Sequence, residues 1–362
     1  MADLTQAREI INEVDKEIAI LFEKRMDAAK MVAEYKKERG LQVTDAQREE
    51  ELIFRNSHLI ENEEYRQYYV SFLRETIEIS KKFQHRLLDG MKVSFSGVEG
   101  AFANIAANRI FPDATAVPHA DFKSAYEAVV NGECDCAVLP VENNYNGDVG
   151  QVMDLAFFGP LYINGIYDIE IVQNLLVNKG TTMDQIKQVI SHPQALGQCA
   201  EYIRKHGFEP VEAVNTAVAA KMVAESGRND LAAIGSDEAA ERYGLRKIRS
   251  RINESNINTT RFAVFTKTPK STDDKDKQFV MLFTVNNEAG SLSKAMQVIG
   301  KYGFNLRALK SRPTKDLIWS YYFYAEGEGN IHSPEGEQML REMQTCCNNL
   351  KVVGSFEKET ML

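Results

Sequence analysis

Residues Ile18 to Val32 read IAILFEKRMDAAKMV, an amphipathic helix whose apolar stripe is interrupted by an arginine. Stepping alternately three and four residues from Leu4 picks out Leu4, Ala7, Ile11, Val14, Ile18, Leu21, Arg25, Ala28, Val32 and Tyr35. All but Arg25 could line a helix seam. Arginine is almost never fully buried without a partner, so Arg25 either reaches water or is met by an anion.

Working outward, residues 1 to 90 lack proline, carry glycine only at Gly40 and Gly90, and keep helical apolar spacing throughout. Breaks near Arg39-Gly40 and near Asn62 predict one long helix, a middle helix from about Asp45, and a third from about Glu64 to Leu88. The first, at about 35 residues, would run roughly 50 Å. That is too long for a compact monomer of this size, and a heptad-type seam on it predicts an intertwined dimer.

Arg25 and Lys36 are eleven residues apart, which places them within about 20° of each other around the axis, some three turns apart. They can converge on one small ligand. Arg8 lies roughly 25 Å from Arg25 along the helix, so it could join the pair only from a partner chain running antiparallel. Arg48 and Glu49 follow in TDAQREEEL, and Ser80 and Gln84 form an i, i+4 pair on the third helix. A pocket of cations, a glutamine and a carboxylate suits a dicarboxylate that carries a hydroxyl.

From Met91 the texture changes. KVSFSG, CDCAVLPVE, QVISH, DLAAIGS and RFAVFTK are short β-rich runs, separated by helical stretches such as DFKSAYEAVVNG, PQALGQCAEYIRKHG and NTAVAAKMVAESG. This alternation predicts an α/β domain with a largely parallel sheet. TPKSTDDKDK, residues 268 to 277, reads as a linker. Beyond it the order β-α-β-β-α-β, from KQFVMLFTV to LKVVGSF, is that of a ferredoxin-like unit.

The chain of 362 residues is long enough for two or three domains, and its composition, 44% hydrophobic and 26% charged, is that of a globular protein. A net charge of −9 argues against nucleic acid as a partner. No apolar signal core and no membrane-length apolar run are present, which predicts a cytoplasmic protein. Cys134, Cys136, Cys199, Cys346 and Cys347 fit neither a disulfide framework nor a paired zinc site, and the six histidines are dispersed. The expectation is reduced, structural thiols, no metal and no cofactor.

In the α/β region, residues with hydroxyls and amides gather where strands end: Glu142, Asn143 and Gly147 in LPVENNYNG; Ser191, His192, Gln194 and Gln198 in SHPQALGQC; Thr259, Thr260 and Arg261 in INTTRFAVF. Ligands of open α/β sheets bind outside the carboxyl ends of strands, so these positions form a candidate site.

Residues 3 to 88 resemble the all-helical chorismate mutases, with Arg8, Arg25, Lys36, Arg48, Glu49, Ser80 and Gln84 on the family's motif positions. The resemblance implies a Claisen rearrangement of chorismate to prephenate, in which Arg25 and the partner's Arg8 clamp the carboxylates and Arg48 supports them. Lys36 and Gln84 would face the ether oxygen, Glu49 would take the ring hydroxyl, and Asp45 joins the substrate-binding set. Residues 91 to 267 resemble prephenate dehydratase through TRF at 260 to 262, PVEN at 140 to 143 and SHPQAL at 191 to 196. That implies a two-lobed, periplasmic-binding-protein-like domain in which Thr260 hydrogen-bonds or protonates the departing hydroxyl and Arg261 holds a carboxylate. Glu142, Asn143, Ser191, His192, Gln194, Thr216 and Phe262 would line or orient the substrate, with capping of the helix at Pro193 an equal reading for His192. Where the family has hydroxyls, this chain has Asn144, Ala101 and Ala103.

Residues 278 to 356 resemble an ACT domain, an amino-acid sensor, through Gly290-Ser291-Leu292 and Lys310-Ser311-Arg312-Pro313, with lysine where the motif has glutamate. The resemblance implies L-phenylalanine as an effector at Gly290, Ser291, Leu292, Ser311, Arg312 and Pro313. The expected architecture is therefore a helical mutase at 1–90, a dehydratase at 91–267 and an ACT domain at 278–356. A rival from another class is a non-catalytic small-acid sensor dimerised by its helices. A fusion with prephenate dehydrogenase is set aside, since no strand-linked GxGxxG occurs.

Overall fold

The computed structural model describes residues 3–255, 257–270, 275–314, 320–357 and 360–362, and the chain divides into two compact units at Met91. The first unit holds α1 (Leu4–Arg39), α2 (Ala46–Ser57) and α3 (Glu63–Asp89). The breaks read from the sequence carry the physical signals expected of helix ends. Gly40 sits at φ 62° and returns its N–H to Lys36 and Lys37, and the Asn62 side chain accepts from Glu64 N. Both α1 and α2 pack on α3, around a small core of Ile53, Leu73 and Ile77.

The seam on α1 behaves differently from the rest. Only Ala29 and Ala33 of this helix are buried, and their small side chains admit α3. Leu4, Ile11 and Leu21 are 64%, 56% and 63% exposed, so the apolar seam is not covered by its own chain.

The second unit begins with β1 (Lys92–Ser96), α4 (Phe102–Ile110), β2 (Thr115–His119), α5 (Phe122–Asn131), β3 (Cys136–Asn143), β4 (Gly147–Asp148), α6 (Gly150–Phe158) and β5 (Tyr162–Glu170). A second lobe follows: β6 (Asn174–Val177), β7 (Gln188–Ser191), α7 (Pro193–Gln198), α8 (Ala200–His206), β8 (Glu209–Glu212), α9 (Thr216–Ser226), β9 (Leu231–Gly235), α10 (Asp237–Tyr243) and β10 (Arg246–Arg249). The chain then returns to the first lobe as β11 (Thr259–Thr266). The two crossings are bonded to each other, Ile171 N to Asn258 O at 2.7 Å and Ile252 N to Gln173 O at 2.9 Å.

The first sheet has the order β16-β5-β11-β3-β1-β2, where β16 is the short C-terminal strand Thr360–Met361, with β4 beside β3, and the second has the order β10-β6-β9-β7-β8. Neither is largely parallel, which corrects the sequence expectation. β1 pairs in parallel with β2 and β3, and β7 with β8 and β9, but β11 runs antiparallel to β3 and β5, and β6 to β9 and β10. Apart from the short β3–β4 hairpin, the antiparallel strands are those beside the two crossings, where the chain enters a lobe from the other side. The helix expected to run from Pro193 to Gly207 is also broken at Cys199, because the carbonyl of Gln198 accepts from Glu254 N at 2.9 Å.

The C-terminal module comprises β12 (Gln278–Thr284), α11 (Ser291–Lys301), β13 (Asn305–Pro313), β14 (Tyr321–Glu328), α12 (Pro334–Met343) and β15 (Asn348–Phe356), followed by β16 (Thr360–Met361). Its antiparallel order β13-β14-β12-β15 is the ferredoxin-like one. β12 is buried on both faces. Phe279, Met281 and Phe283 pack in the module's own core, while Val280 and Leu282 join Leu139, Met153, Ile163 and Phe265 in a core shared with the first lobe. A shared core explains why residues 92–362 form one compact unit.

Three expectations need boundaries adjusted. α12 stops at Met343, short of the cysteine pair. Of the linker, Ser271 to Asp274 lie outside the described residues, while Lys270 N donates to Asn164 Oδ1 at 2.8 Å and Asp276 Oδ2 accepts from Ser355 Oγ at 2.7 Å. Ile318 and Trp319, expected to open β14, also lie outside them. Among the described residues no helix is long and apolar enough to cross a membrane. All five cysteines are free thiols, and burial pushes Cys134 up to about 11 and Cys199 up to about 12, far from thiolate chemistry at neutral pH.

Candidate active sites

In the helical unit, hydrogen bonds gather the predicted polar residues along the last turns of α3. Arg25 Nη1 donates to Thr76 O at 3.1 Å and to the Ser80 hydroxyl, and its half-burial lowers the affinity of the guanidinium for its proton. Arg25 thus lies with Ala29 and Ala33 on the side of α1 that packs on α3, and it turns inward rather than to water. One turn beyond Ser80, Gln84 is buried and its Oε1 has no hydrogen-bond partner within the protein. Lys36 Nζ donates to Val43 O at 2.5 Å in the loop before α2.

The remaining members are arranged differently. Glu49 accepts from Lys81 Nζ at 3.0 Å, and Lys81 is also held by Glu78 at 2.6 Å. Lys81 was not singled out from the sequence, where it looks like one more surface lysine. Asp45 caps α2, its Oδ1 accepting from Arg48 N at 3.1 Å. Arg48 and Arg8 are exposed in this single chain.

In the second unit a cleft of ≈ 470 Å³ opens between the lobes, and Asn143, His192, Gln194, Thr216, Thr260 and Phe262 all line it. Ala101 and Ala103 line it as well, at the start of α4. Thr260 and Asn143 face each other across β11 and β3, and Asn143 Nδ2 donates to Thr260 Oγ1 at 2.9 Å. The orientation of that amide is fixed from behind. Asn143 Oδ1 accepts from the backbone N–H of Tyr145 and Asn146, both at 3.0 Å, so its nitrogen must point at Thr260. With an acceptor site of its oxygen filled, Thr260 is left to donate its own proton.

The amides continue. Asn143 Nδ2 also reaches Asn258 Oδ1 at 2.9 Å, Asn258 Nδ2 donates to Gln198 Oε1 at 2.9 Å, and Gln173 Nε2 to the same oxygen at 3.2 Å. Gln173 and Asn258 belong to the two crossings and were not anticipated. The only signal for Gln173 is a pair of adjacent amides, Gln173-Asn174, inside the apolar run IYDIEIVQNLLV.

His192 caps α7, its Nδ1 accepting from Gln194 N at 3.3 Å. That contact assigns the ring proton to Nε2, and burial holds the imidazole below its ordinary pKa against the upward pull of Glu212. Both readings of this residue therefore stand, since the capped ring also lines the cleft. Asn144 bridges to the crossing, accepting from Thr259 N at 3.0 Å and donating to Ile257 O.

Three predicted contacts fall outside the cleft. Ser191 is fully buried, with Oγ donating to Ile234 O at 2.7 Å inside the second sheet. Arg261 and Glu142 are on the opposite face of the first sheet, because successive side chains of a strand alternate. There Arg261 Nη1 meets Glu142 Oε2 at 3.1 Å and Glu326 at 2.9 and 3.1 Å. The carboxylate-holding role expected of Arg261 is incompatible with this direction. Burial, the largest single influence on Glu142, would raise its pKa, but Lys310 and Arg261 together outweigh it and lower it.

In the module, Gly290 (φ 85°) caps α11, and Ser291 and Leu292 open it. Along β13 burial alternates, so Ser311 and Pro313 are exposed while Lys310 and Arg312 point to the first lobe. Arg312 forms a two-pronged pair with Asp154 at 2.9 and 3.1 Å, joined by Tyr322 Oη at 2.7 Å, and is thus removed from the expected effector set. Its guanidinium fills the space where any side chain at Gly150 would stand. Lys310 is bound to Asp148 at 2.5 Å and Glu142 at 3.0 Å, which gives its departure from the motif a structural use.

Comparison with known proteins accords with this geometry. A profile for chorismate mutase type II matches residues 7–85, and one for prephenate dehydratase matches 93–270. A bifunctional chorismate mutase/prephenate dehydratase of Aquifex aeolicus is 30% identical over 366 residues, 99% of either chain. Arogenate dehydratase/prephenate dehydratase 2 of Arabidopsis thaliana is 32% identical over 283 residues, 75% of this chain and 74% of that protein. Among solved structures, GqqA, described as a quorum-quenching acylase, shares 29% identity at a TM-score of 0.68 over 73% of this chain and 97% of its own. A prephenate dehydratase of Arthrobacter aurescens, solved with L-Phe, shares the fold at a TM-score of 0.69 and 24% identity, over 74% of this chain and 90% of its own. The chain belongs to the bifunctional chorismate mutase/prephenate dehydratase family.

Proposed function

We propose that residues 1–90 convert chorismate to prephenate, that residues 91–267 convert prephenate to phenylpyruvate, and that residues 278–356 are an ACT domain responding to L-phenylalanine, in a cytoplasmic homodimer. The observation that carries the second activity is the Asn143–Thr260 pair, an amide that leaves a cleft-facing hydroxyl free to donate. In the dehydratase reaction the bond from the ring to its carboxylate breaks and carbon dioxide leaves. Those electrons aromatise the ring, the carbon–oxygen bond breaks, and the hydroxyl takes a proton to depart as water. Thr260 supplies a hydrogen bond or the proton to that oxygen. A threonine hydroxyl is a weak acid near neutral pH, so placement and exclusion of water carry more of the effect than acidity. His192 through Nε2–H, with Gln194 and Thr216, replaces Arg261 as the donor set for the carboxylates.

The mutase reaction needs no nucleophile, only a clamped conformer and donors at the ether oxygen, which gains negative charge. Arg25 and the partner's Arg8 clamp the carboxylates, Lys36 and Gln84 face the ether oxygen, and Glu49 takes the ring hydroxyl once Lys81 shares it. The test is to supply chorismate alone and follow prephenate and phenylpyruvate separately, with and without L-phenylalanine. Absence of both prephenate and phenylpyruvate refutes the first activity, and prephenate that accumulates without phenylpyruvate refutes the second. A chain that binds these acids and converts neither would be the non-catalytic sensor.

A further inference from the structure

Four residues at the ends of β3 and β11 form two cross-strand pairs in register, Thr260 opposite Asn143 and Arg261 opposite Glu142. Alternation sends the first pair into the cleft and the second to the reverse of the sheet. On that reverse face the second pair is held by the C-terminal module. Glu326 of β14 receives Arg261 through both its oxygens, at 3.1 and 2.9 Å, and Lys310 of β13 reaches Glu142 at 3.0 Å. Glu326 is 5% exposed and takes a further hydrogen bond from Tyr324 Oη at 2.9 Å. Charges so enclosed are little screened, and the loss of one partner leaves the other uncompensated.

The register of β11 on β3 shifts immediately after Arg261. A bulge re-aims the side chains beside it and interrupts the ladder, so the cleft-facing pair stands beside a break in its pairing. We propose that Glu326, seconded by Lys310, is a positioning residue for the dehydratase reaction. By gripping Arg261 and Glu142 from behind, the module fixes the backbone that aims Thr260 and Asn143. The proposal rests on the reading that Thr260 serves dehydration, and it makes the module part of the catalytic framework even without an effector.

The test uses the full-length chain and two assays, prephenate to phenylpyruvate and chorismate to prephenate, with thermal melting. Glu326→Gln is expected to lower the dehydratase kcat by roughly ten- to a hundredfold, with KM within twofold and the mutase rate unchanged. Glu326→Asp, which keeps the charge, should recover part of the loss. Lys351→Met is the control. It removes a module contact elsewhere, Lys351 Nζ to Gly159 O at 2.7 Å, and should leave kcat alone. A Glu326→Gln protein that melts normally and keeps its kcat overturns the proposal, as does an equal loss in Lys351→Met. If Glu326→Gln does not fold, Lys310→Met decides the matter by the same split of kcat from KM. Failure of the wild-type chain to dehydrate prephenate would instead remove the underlying reading.

Discussion

The side-chain amide of Asn143 donates to the hydroxyl of Thr260 across 2.9 Å, while its own oxygen is occupied by two backbone N–H groups. The direction of the Thr260 proton is therefore set by Asn143. Asn143→Asp keeps the shape and the two backbone hydrogen bonds but turns a donor into an acceptor, which captures the Thr260 proton. Both Asn143→Asp and Thr260→Val should lower phenylpyruvate formation by about 10²- to 10⁴-fold while prephenate formation from chorismate is unaffected. An Asn143→Asp enzyme within threefold of wild type would show that the orientation is immaterial.

Gln84 offers the corresponding test in the helical unit. It is buried, and its Oε1 has no hydrogen-bond partner within the protein; to meet the ether oxygen, itself an acceptor, the amide must present Nε2. Glu at this position could donate only when protonated, and burial raises a carboxyl pKa above its ordinary value of about 4.3. The mutase rate of Gln84→Glu should accordingly rise as pH falls, against a flat profile for Gln84→Ala. A Gln84→Glu profile that is also flat across pH 4 to 8 contradicts a donor role.

Much of this arrangement is legible in the sequence, for reasons that differ by region. Helix ends were readable because Gly40 and Asn62 are local signals. The module was readable because its β-α-β-β-α-β order is unusual enough to stand alone. The direction of Arg261 and Arg312 is not, because both belong to motifs whose members are all expected at a ligand site, and only strand phase separates them from their neighbours. Gln173 and Asn258 were missed because a residue in a lobe crossing gets its role from a contact distant in sequence, such as Asn258 with Gln198. The largely parallel sheet does not hold, since short apolar runs carry no record of strand direction.

The shared core between module and first lobe makes a stability prediction. A side chain at Gly354 of β15 would stand against the backbone carbonyl of Ile163 in β5, which cannot swing aside. Gly354→Ala should cost about 1–3 kcal/mol through this overpacking, which for a unit of this size lowers the melting temperature by several degrees. The loss should appear in the transition of residues 92–362 as a whole, because the two parts share Val280, Leu282, Ile163 and Phe265 in one core. Calorimetry that resolved a separate module transition would contradict it.

His192 ties stability to pH. Burial holds its pKa below the unfolded value, near 6.5, so the folded state binds fewer protons than the unfolded one. Its contribution is fully present above pH 6.5 and is lost as pH falls from there through the folded-state pKa. His192→Asn retains a capping side chain for α7 and removes this titration. Melting temperature should fall less between pH 7 and pH 5 in the variant than in the wild type. An unchanged slope would mean that the ring is solvated.

The exposed seam of α1 yields the sharpest test of assembly. Ile11, Leu21 and Leu4 each stand more than half exposed on a 36-residue helix, a state that a second copy would relieve. Arg8, roughly 25 Å from Arg25 on that helix, can serve a site with Arg25 and Lys36 only across such an interface. Arg8→Ala and Lys36→Ala should then each be inactive as mutases when purified alone. Co-expressed with different tags, half of the dimers would be mixed, and each mixed dimer would hold one site with both defects and one with neither. The unfractionated mixture should recover about a quarter of wild-type mutase activity, and the isolated mixed dimer about half. Sites built within one chain would gain nothing from mixing, because every chain would still carry its own defect.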